Sequence, residues 1–380
     1  MKTAQLQDHE EIRQAVRRFA QAELAPNAAR WDREKEFPRK ALEGLGAMGL
    51  YGVAIPEPWN GAGLGYSALA IACEEVAAGD CATATIISVN NLVAGILHGY
   101  GTDAQKQRFL RPLARGEMLG AFALTEPHVG SDAAAITTRA ERKDGHYVLN
   151  GVKQFITSGR NAAIAIVFAV TDKAAGKRGI SAFIVPTDAP GYVVSRIEEK
   201  LGQRASDTAQ IVLENCIVPA QHLLGEEGAG YRIALANLES GRINIAAQAT
   251  GVARAALAAA LSYARDRKSM GKALIEHQAV NFRLADMATQ VEAARQLYLH
   301  AARLRDAGEP CIKEASMAKL FASEMAEKVC SDAIQIHGGY GYVADFPVER
   351  LWRDVRVTKI YEGANDIQRM VIGRVLEEER

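Results

Sequence analysis

The spacing of apolar positions changes twice along the chain. From the start to about Glu117 the period is helical. Ile12, Val16, Phe19 and Leu24 recur on one face, and stretch 67–78 is rich in Ala, with Leu69, Glu74 and Glu75 among good helix formers. A Pro/Gly-rich turn at 55–65 separates two of these helices. From about Leu119 to Leu224 the pattern becomes short β-branched runs bounded by Gly, Pro, Asp or Asn: 162–171, 180–186, 192–197 and 209–218. Asp144-Gly145 and Asn150-Gly151 have tight-turn composition, with 146–149 as a short strand between them. From Gly228 onward strong helix formers return, over 231–265, 278–307 and 311–337. The expected architecture is mainly α with a central antiparallel β-domain. Residues 1–118 form an N-terminal helical domain, 119–226 the β-domain, and 227–380 a bundle of long Ala-rich helices able to pack closely, also between subunits.

Composition narrows the function classes. At 380 residues and 48% apolar, the chain exceeds one small domain. Its 45 basic and 45 acidic side chains cancel, and no Lys/Arg run forms a basic face, so nucleic-acid binding is not expected. The longest near-continuous apolar stretch, 162–170, is half a membrane span, so membrane insertion is not expected either. The first residues lack the apolar core of a signal peptide and turn acidic too soon for a transit peptide. A cytoplasmic location is expected, with a mature organelle form as the alternative. Cys73, Cys81, Cys216, Cys311 and Cys330 make no CxxC pair and read as reduced, mostly buried thiols. The eight histidines show no HExxH and no zinc spacing, so no metal site is expected.

Three segments carry candidate chemistry. There is no GxxxxGK[ST], and no GxGxxG lies between a strand and a helix, which disfavours P-loop and Rossmann folds. In 122–132, Phe-Ala-Leu-Thr-Glu-Pro-His-Val-Gly-Ser-Asp, a strand enters a Pro/Gly turn offering the Thr125 and Ser131 hydroxyls and free N–H groups. Such a turn can hold a flat heterocycle or a phosphate. On local chemistry alone it reads first as an ordinary loop closed by side-chain turn bonds. In 153–159, strand alternation puts Phe155 and Thr157 on one face, as a cofactor wall or as ordinary packing. In 360–366, Ile-Tyr-Glu-Gly-Ala-Asn-Asp, Glu362 precedes a helix carrying Ile367, Met370 and Val371. It either compensates a helix dipole or, desolvated, becomes a base of raised pKa. Spacing alone leaves both open.

Together and in this order, the segments resemble the acyl-CoA dehydrogenase family over essentially the whole chain. The likeness extends to Leu-Glu-Ser-Gly-Arg at 238–242, Asp-Arg-Lys at 266–268 and Gln-Ile-His-Gly-Gly-Tyr-Gly-Tyr at 335–342. It implies an N-terminal helical domain, a β-domain and a C-terminal four-helix bundle, forming a flavoenzyme that holds FAD and oxidises an acyl-CoA to the trans-2-enoyl-CoA. It also implies a homotetramer that passes electrons to an electron-transfer flavoprotein. By resemblance Glu362 is the catalytic base. Phe122, Leu124, Thr125, Gly130 and Ser131 match the stretch around the flavin and its phosphates, and Phe155, Ile156 and Thr157 the stretch against the isoalloxazine. Arg267, Gln278, Gln335, Gly338 and Gly339 match positions reaching FAD from a neighbouring subunit, and Ala364 and Asp366 complete the cofactor set. Ser131, Glu239, Ser240, Gly241, Arg242 and Gly363 fall where the acyl-CoA binds.

The sequence departs from the family at three places. His128 replaces the usual glycine after Glu-Pro, Phe155 a frequent Trp, and Ala364 a frequent Thr, which bears on FAD affinity and potential. Ser88-Val-Asn-Asn91 and the overall likeness point to short-chain members, so a short or branched acyl group is expected. Two competing readings are another flavin reaction on this fold, such as a desulfinase or oxidase, and a non-enzymatic helical assembly. Intact Glu362 favours dehydrogenation over the first, and the retained Glu362, Arg242 and Arg267 argue against the second.

Overall fold

In the computed structural model, which describes residues 3–379, helices precede and follow one central sheet, as the apolar spacing predicts. Helices Gly65–Gly79 and Cys81–Tyr100 meet at Asp80, whose carboxylate caps the second by accepting from the Thr83 N–H at 2.8 Å. Both are apolar nearly all round and correspondingly buried. Cys81–Tyr100 and the bundle helix Gly230–Asp266 have the length and hydropathy of a membrane span, yet 83% and 61% of those windows lie inside the fold. Here they serve as core helices.

The strands are β1 Gly120–Ala123, β2 Arg139–Lys143, β3 His146–Thr157, β4 Ile164–Val170, β5 Ile180–Pro186, β6 Tyr192–Ile197, β7 Thr208–Pro219 and β8 Leu223–Leu224. They run in the order β6-β7-β3-β2-β4-β5-β8, with β1 also on β4. The sheet is not wholly antiparallel, as the sequence suggested: β1 and β2 both meet β4 in parallel. Tertiary contacts set this register. Asn90 accepts from the Gly120 N–H at 2.9 Å, and a Cβ at Gly120 would stand 2.6 Å from Val93 Cγ1, so helix Cys81–Tyr100 fixes where β1 starts.

A second difference concerns Asn150-Gly151. Asp144-Gly145 is the β2–β3 turn, with Gly145 at φ 74. Asn150-Gly151 is no turn but a register shift within β3. A Cβ at Gly151 would stand 2.4 Å from Thr138 Oγ1, and Asn150 Oδ1 accepts from the Asn215 N–H at 2.9 Å. The dipeptide lets neighbouring strands approach closely.

The bundle consists of Gly230–Asp266, Gln278–Asp306 and Ile312–His337, with Asn365–Glu378 packed on the last. Alanines 246, 249, 253, 256 and 260 line the first helix interior, and 315, 318, 322 and 326 the third. These small side chains permit close approach. A buried ionic lock ties helix Gly65–Gly79 to the bundle: Glu74 pairs with Arg295 at 2.8 Å and Arg254 at 2.9 Å, and Glu75 with Arg254 at 2.6 Å. All five cysteines are free and buried.

Candidate active site

Glu362 sits in a turn whose backbone needs support. Glu362 has φ 52 and Gly363 φ 87. The left-handed region suits glycine, but for a glutamate it costs on the order of 1–3 kcal/mol and persists only where neighbours hold it. Gln368 Nε2 donates to the Glu362 carbonyl at 3.1 Å and to the Gly363 carbonyl at 2.8 Å. Lys319 Nζ donates to the Gly363 carbonyl at 2.8 Å and to Asn365 Oδ1 at 2.9 Å. On the other side, the Tyr361 hydroxyl donates to Gln248 Oε1 at 3.0 Å and accepts from Gln203 Nε2 at 3.2 Å. Gln248 donates in turn to Thr85 Oγ1 at 2.6 Å and to the Cys81 carbonyl at 2.9 Å. Side chains from the N-terminal helices, the β-domain and the bundle thus converge on the residue beside Glu362.

The carboxylate itself is isolated. The residue is half-buried, but its Oε2 is enclosed and has no hydrogen-bond partner among the described residues. Burial pushes its pKa from the ordinary 4.5 up to about 7, against the opposing pull of Arg242 and Lys319. Gly241 makes room for it, since a Cβ there would stand 2.5 Å from Oε2. Arg242 is buried, its Nη1 donating to Ser316 Oγ at 3.3 Å while its Nε has no partner among the described residues. The rest of that run is engaged elsewhere. Glu239 accepts from Arg305 Nη1 at 3.0 Å, from the Cys311 N–H at 3.0 Å and from Cys311 Sγ at 3.1 Å; Ser240 Oγ donates to the Asn237 carbonyl at 2.9 Å. Gly241 and Arg242 therefore share the pocket of Glu362, whereas Glu239 and Ser240 serve the bundle.

The turn after β1 is anchored by two residues the sequence reading did not single out. Lys153, fully buried in β3, donates to the Leu124 carbonyl at 3.1 Å and to Glu126 Oε1 at 2.9 Å. Glu126 also accepts from the Thr137 N–H at 2.7 Å and the Thr138 N–H at 2.9 Å. Burial alone would raise its pKa, but Lys153 and these donors override it and hold the carboxyl at about 2. Burial lowers Lys153 only to about 8, so the pair stays charged at neutral pH. The available signal was a lysine in a strand interior, which needs an acid nearby. Gln154 N donates to the Thr125 carbonyl at 2.8 Å, Phe122 packs 5.0 Å from Phe168, and Gly130 and Ser131 are left exposed.

Phe155 presents its ring outward, 62% exposed, with Ile156 buried and Thr157 half-buried. The cause is a bulge between Lys153 and Ile156 that puts Phe155 at φ 59, rather than regular alternation alone. Arg267, Gln278, Gln335, Gly338 and Gly339 gather at one end of the bundle, all exposed. The Arg267 guanidinium lies 5.8 Å from the Tyr340 ring. Ala364 precedes helix Asn365–Glu378 with no side-chain cap, and exposed Asp366 pairs with Arg369 at 3.1 Å. An exposed ring, a hydroxyl-bearing turn and open space beside Gly130, Gly338 and Gly339 fit a flat heterocycle joined to a diphosphate. Among the described residues no group of three or more His, Cys, Asp or Glu could hold a metal ion.

A helical domain, a β-domain and a bundle enclosing an isolated carboxylate define a class, the flavin-dependent oxidoreductases of acyl-CoA CH–CH bonds. The chain belongs to the acyl-CoA dehydrogenase family: its N-terminal domain model matches residues 6–117, its middle domain 121–216 and its C-terminal domain 228–377. An acyl-CoA dehydrogenase of Bacillus subtilis is 48% identical over 367 residues, covering 96% of this chain and 97% of the relative. The human mitochondrial short-chain specific acyl-CoA dehydrogenase is 47% identical over 365 residues, 96% of this chain and 89% of that protein. The solved structure of butyryl-CoA dehydrogenase from Megasphaera elsdenii matches with a TM-score of 0.96 at 40% identity, covering 99% of both chains.

Proposed function

We propose that the protein is an FAD-dependent dehydrogenase of short- or branched-chain acyl-CoA thioesters, forming the trans-2-enoyl-CoA and passing electrons to an electron-transfer flavoprotein. The observation that carries this reading is the enclosed, unpartnered Glu362 carboxylate with its pKa brought to about 7. The α-proton of a thioester is a very weak acid, so a hydrated carboxylate of ordinary pKa removes it poorly. Glu362 is desolvated yet still ionised in a substantial fraction at neutral pH, which is what a general base requires. Among the described residues no group accepts from the Glu362 N–H, leaving it free to polarise the thioester oxygen. FAD, when bound, supplies the acceptor for the β-hydride.

Phe122 to Ser131 and Phe155 to Thr157 would hold the flavin side of the cofactor. Arg267, Gln278, Gln335, Gly338 and Gly339 stand at the other end of the bundle from Glu362. Gly241, against Glu362, and the end of the same helix at Asp266 are about 38 Å apart at the α-helical rise. These five residues therefore serve the FAD of a neighbouring subunit, which supports a homo-oligomer, read as a tetramer. Short-chain preference is supported by the likeness to a short-chain specific enzyme and a butyryl-CoA dehydrogenase.

The test is anaerobic addition of butyryl-CoA to the purified yellow protein. Immediate bleaching is expected, with kcat/KM rising by about 0.8 kcal/mol per added methylene until the pocket ends. An optimum at palmitoyl-CoA would remove the short-chain assignment, and no bleaching by any acyl-CoA would remove the activity.

A further inference from the structure

Helix Ile312–His337 buries a face that is mostly alanine, interrupted by Ser316, Lys319 and Ser323, all fully buried. Spacings of three and four align them on one side of the helix. Each meets part of the surroundings of Glu362. Ser316 accepts from Arg242 at 3.3 Å, Lys319 donates to the Gly363 carbonyl and Asn365 Oδ1, and Ser323 accepts from Asn365 Nδ2 at 3.0 Å. A neutral donor would satisfy a carbonyl, whereas burying an ammonium is costly unless it is compensated. Among the described residues Lys319 forms no ion pair; the carboxylate acting most strongly on it is that of Glu362, with Glu324 of its own helix a lesser one.

The charged groups around Glu362 are few. Helix Gly230–Asp266 contributes Arg242, on which Glu239 of the same helix also acts, and helix Ile312–His337 contributes Lys319, while at the surface Arg369 of Asn365–Glu378 pairs with Asp366 and with Glu324. We propose that Lys319 is a positioning residue for the Glu362 base, clamping its left-handed turn through the Gly363 carbonyl and supplying a positive charge that the ionised carboxylate needs. Burial brings Lys319 itself down to about 7, so it shares its proton range with the base it supports. The inference rests on Glu362 being the base.

The test uses FAD-loaded Lys319→Met, which removes donor and charge, and Lys319→Gln, which keeps a donor without the charge. Infrared difference spectra follow the protonated Glu362 carboxyl band against pH, assigned by its loss in Glu362→Gln. This readout does not depend on turnover. Anaerobic reduction by butyryl-CoA is followed over the same pH range. In Lys319→Met the band is expected to persist about one pH unit higher. The acid limb of flavin reduction should move with it, a loss of roughly fivefold at pH 7 from ionisation alone, and the alkaline plateau should stay below wild type. Lys319→Gln should shift the band likewise and recover part of the plateau. A band at the wild-type pH in Lys319→Met overturns the proposal, and if that variant does not hold FAD, the band in Lys319→Gln decides by the same criterion. Wild-type protein that no acyl-CoA bleaches would count against the proposed activity, while the infrared shift would still decide the role of Lys319.

Discussion

Lys153 and Glu126 meet at 2.9 Å with both side chains sealed from solvent, at the root of the turn that exposes Gly130 and Ser131. Removing one partner strands the other's charge. Lys153→Met is expected to cost about 3–5 kcal/mol in chemical denaturation and to weaken FAD binding, with Lys153→Met/Glu126→Gln recovering part of the loss. The pH dependence follows from Glu126. Its folded pKa of about 2 lies below the ordinary 4.5, so its stabilisation is complete above pH 4.5 and is lost as pH falls towards 2. Melting temperatures of wild type should drop across that window, and those of Glu126→Gln should drop less.

Glu362→Gln is nearly isosteric and should leave fold, FAD and acyl-CoA binding intact. Loss of the base is expected to slow anaerobic flavin reduction by at least about a hundredfold. Glu362→Asp, which withdraws the carboxylate by one methylene, should retain part of the rate. In wild type, reduction should rise with pH through a limb near 7, because the raised pKa keeps the base protonated below it. Rapid bleaching by Glu362→Gln would move the base elsewhere. Glu239, held by Arg305 and Cys311, is poorly placed to take over.

Gly241→Ala separates stability from chemistry. In a helix interior the change favours folding by about 1 kcal/mol. Its Cβ would displace the Glu362 carboxylate, and misplacement of about 1 Å can cost a hundredfold in rate. The expected variant melts no lower than wild type and reduces its flavin about a hundredfold more slowly. Unchanged reduction would show that the carboxylate has room to move.

Arg267→Ala tests the shared cofactor site. Loss of a charge-assisted phosphate contact of about 1.5–3 kcal/mol should weaken FAD binding between roughly tenfold and a hundredfold. Full FAD occupancy in a stable monomer would refute sharing between subunits.

The three-zone order was readable because helix formers and β-branched runs alternate in long blocks, and strands 180–186 and 192–197 appear with the expected bounds. The parallel pairing of β1 was not readable, since its register comes from Asn90 and Val93 on a helix some thirty positions earlier. Asn150-Gly151 misled because the same dipeptide serves a tight turn and a close strand crossing. Glu362 alone was ambiguous and became a candidate base only beside the other motifs. Lys153 offered a signal only through its place in a strand interior, and Ser316 and Lys319 gave little warning, since a polar residue in an apolar stretch shows its purpose only when its partner is brought to it.

The chain of amides and hydroxyls running from Thr85 through Gln248 to Tyr361, and from Tyr361 to Gln203, has a consequence for partial damage. The residue next to the base is anchored in regions far apart in sequence. Local loosening of any one of them would let that anchor drift before the alanine-lined interior opened. Catalysis would then be the first property lost on mild heating or denaturant, while helix content and thiol protection persisted. Activity serves this molecule as an early gauge of whether its three regions remain docked.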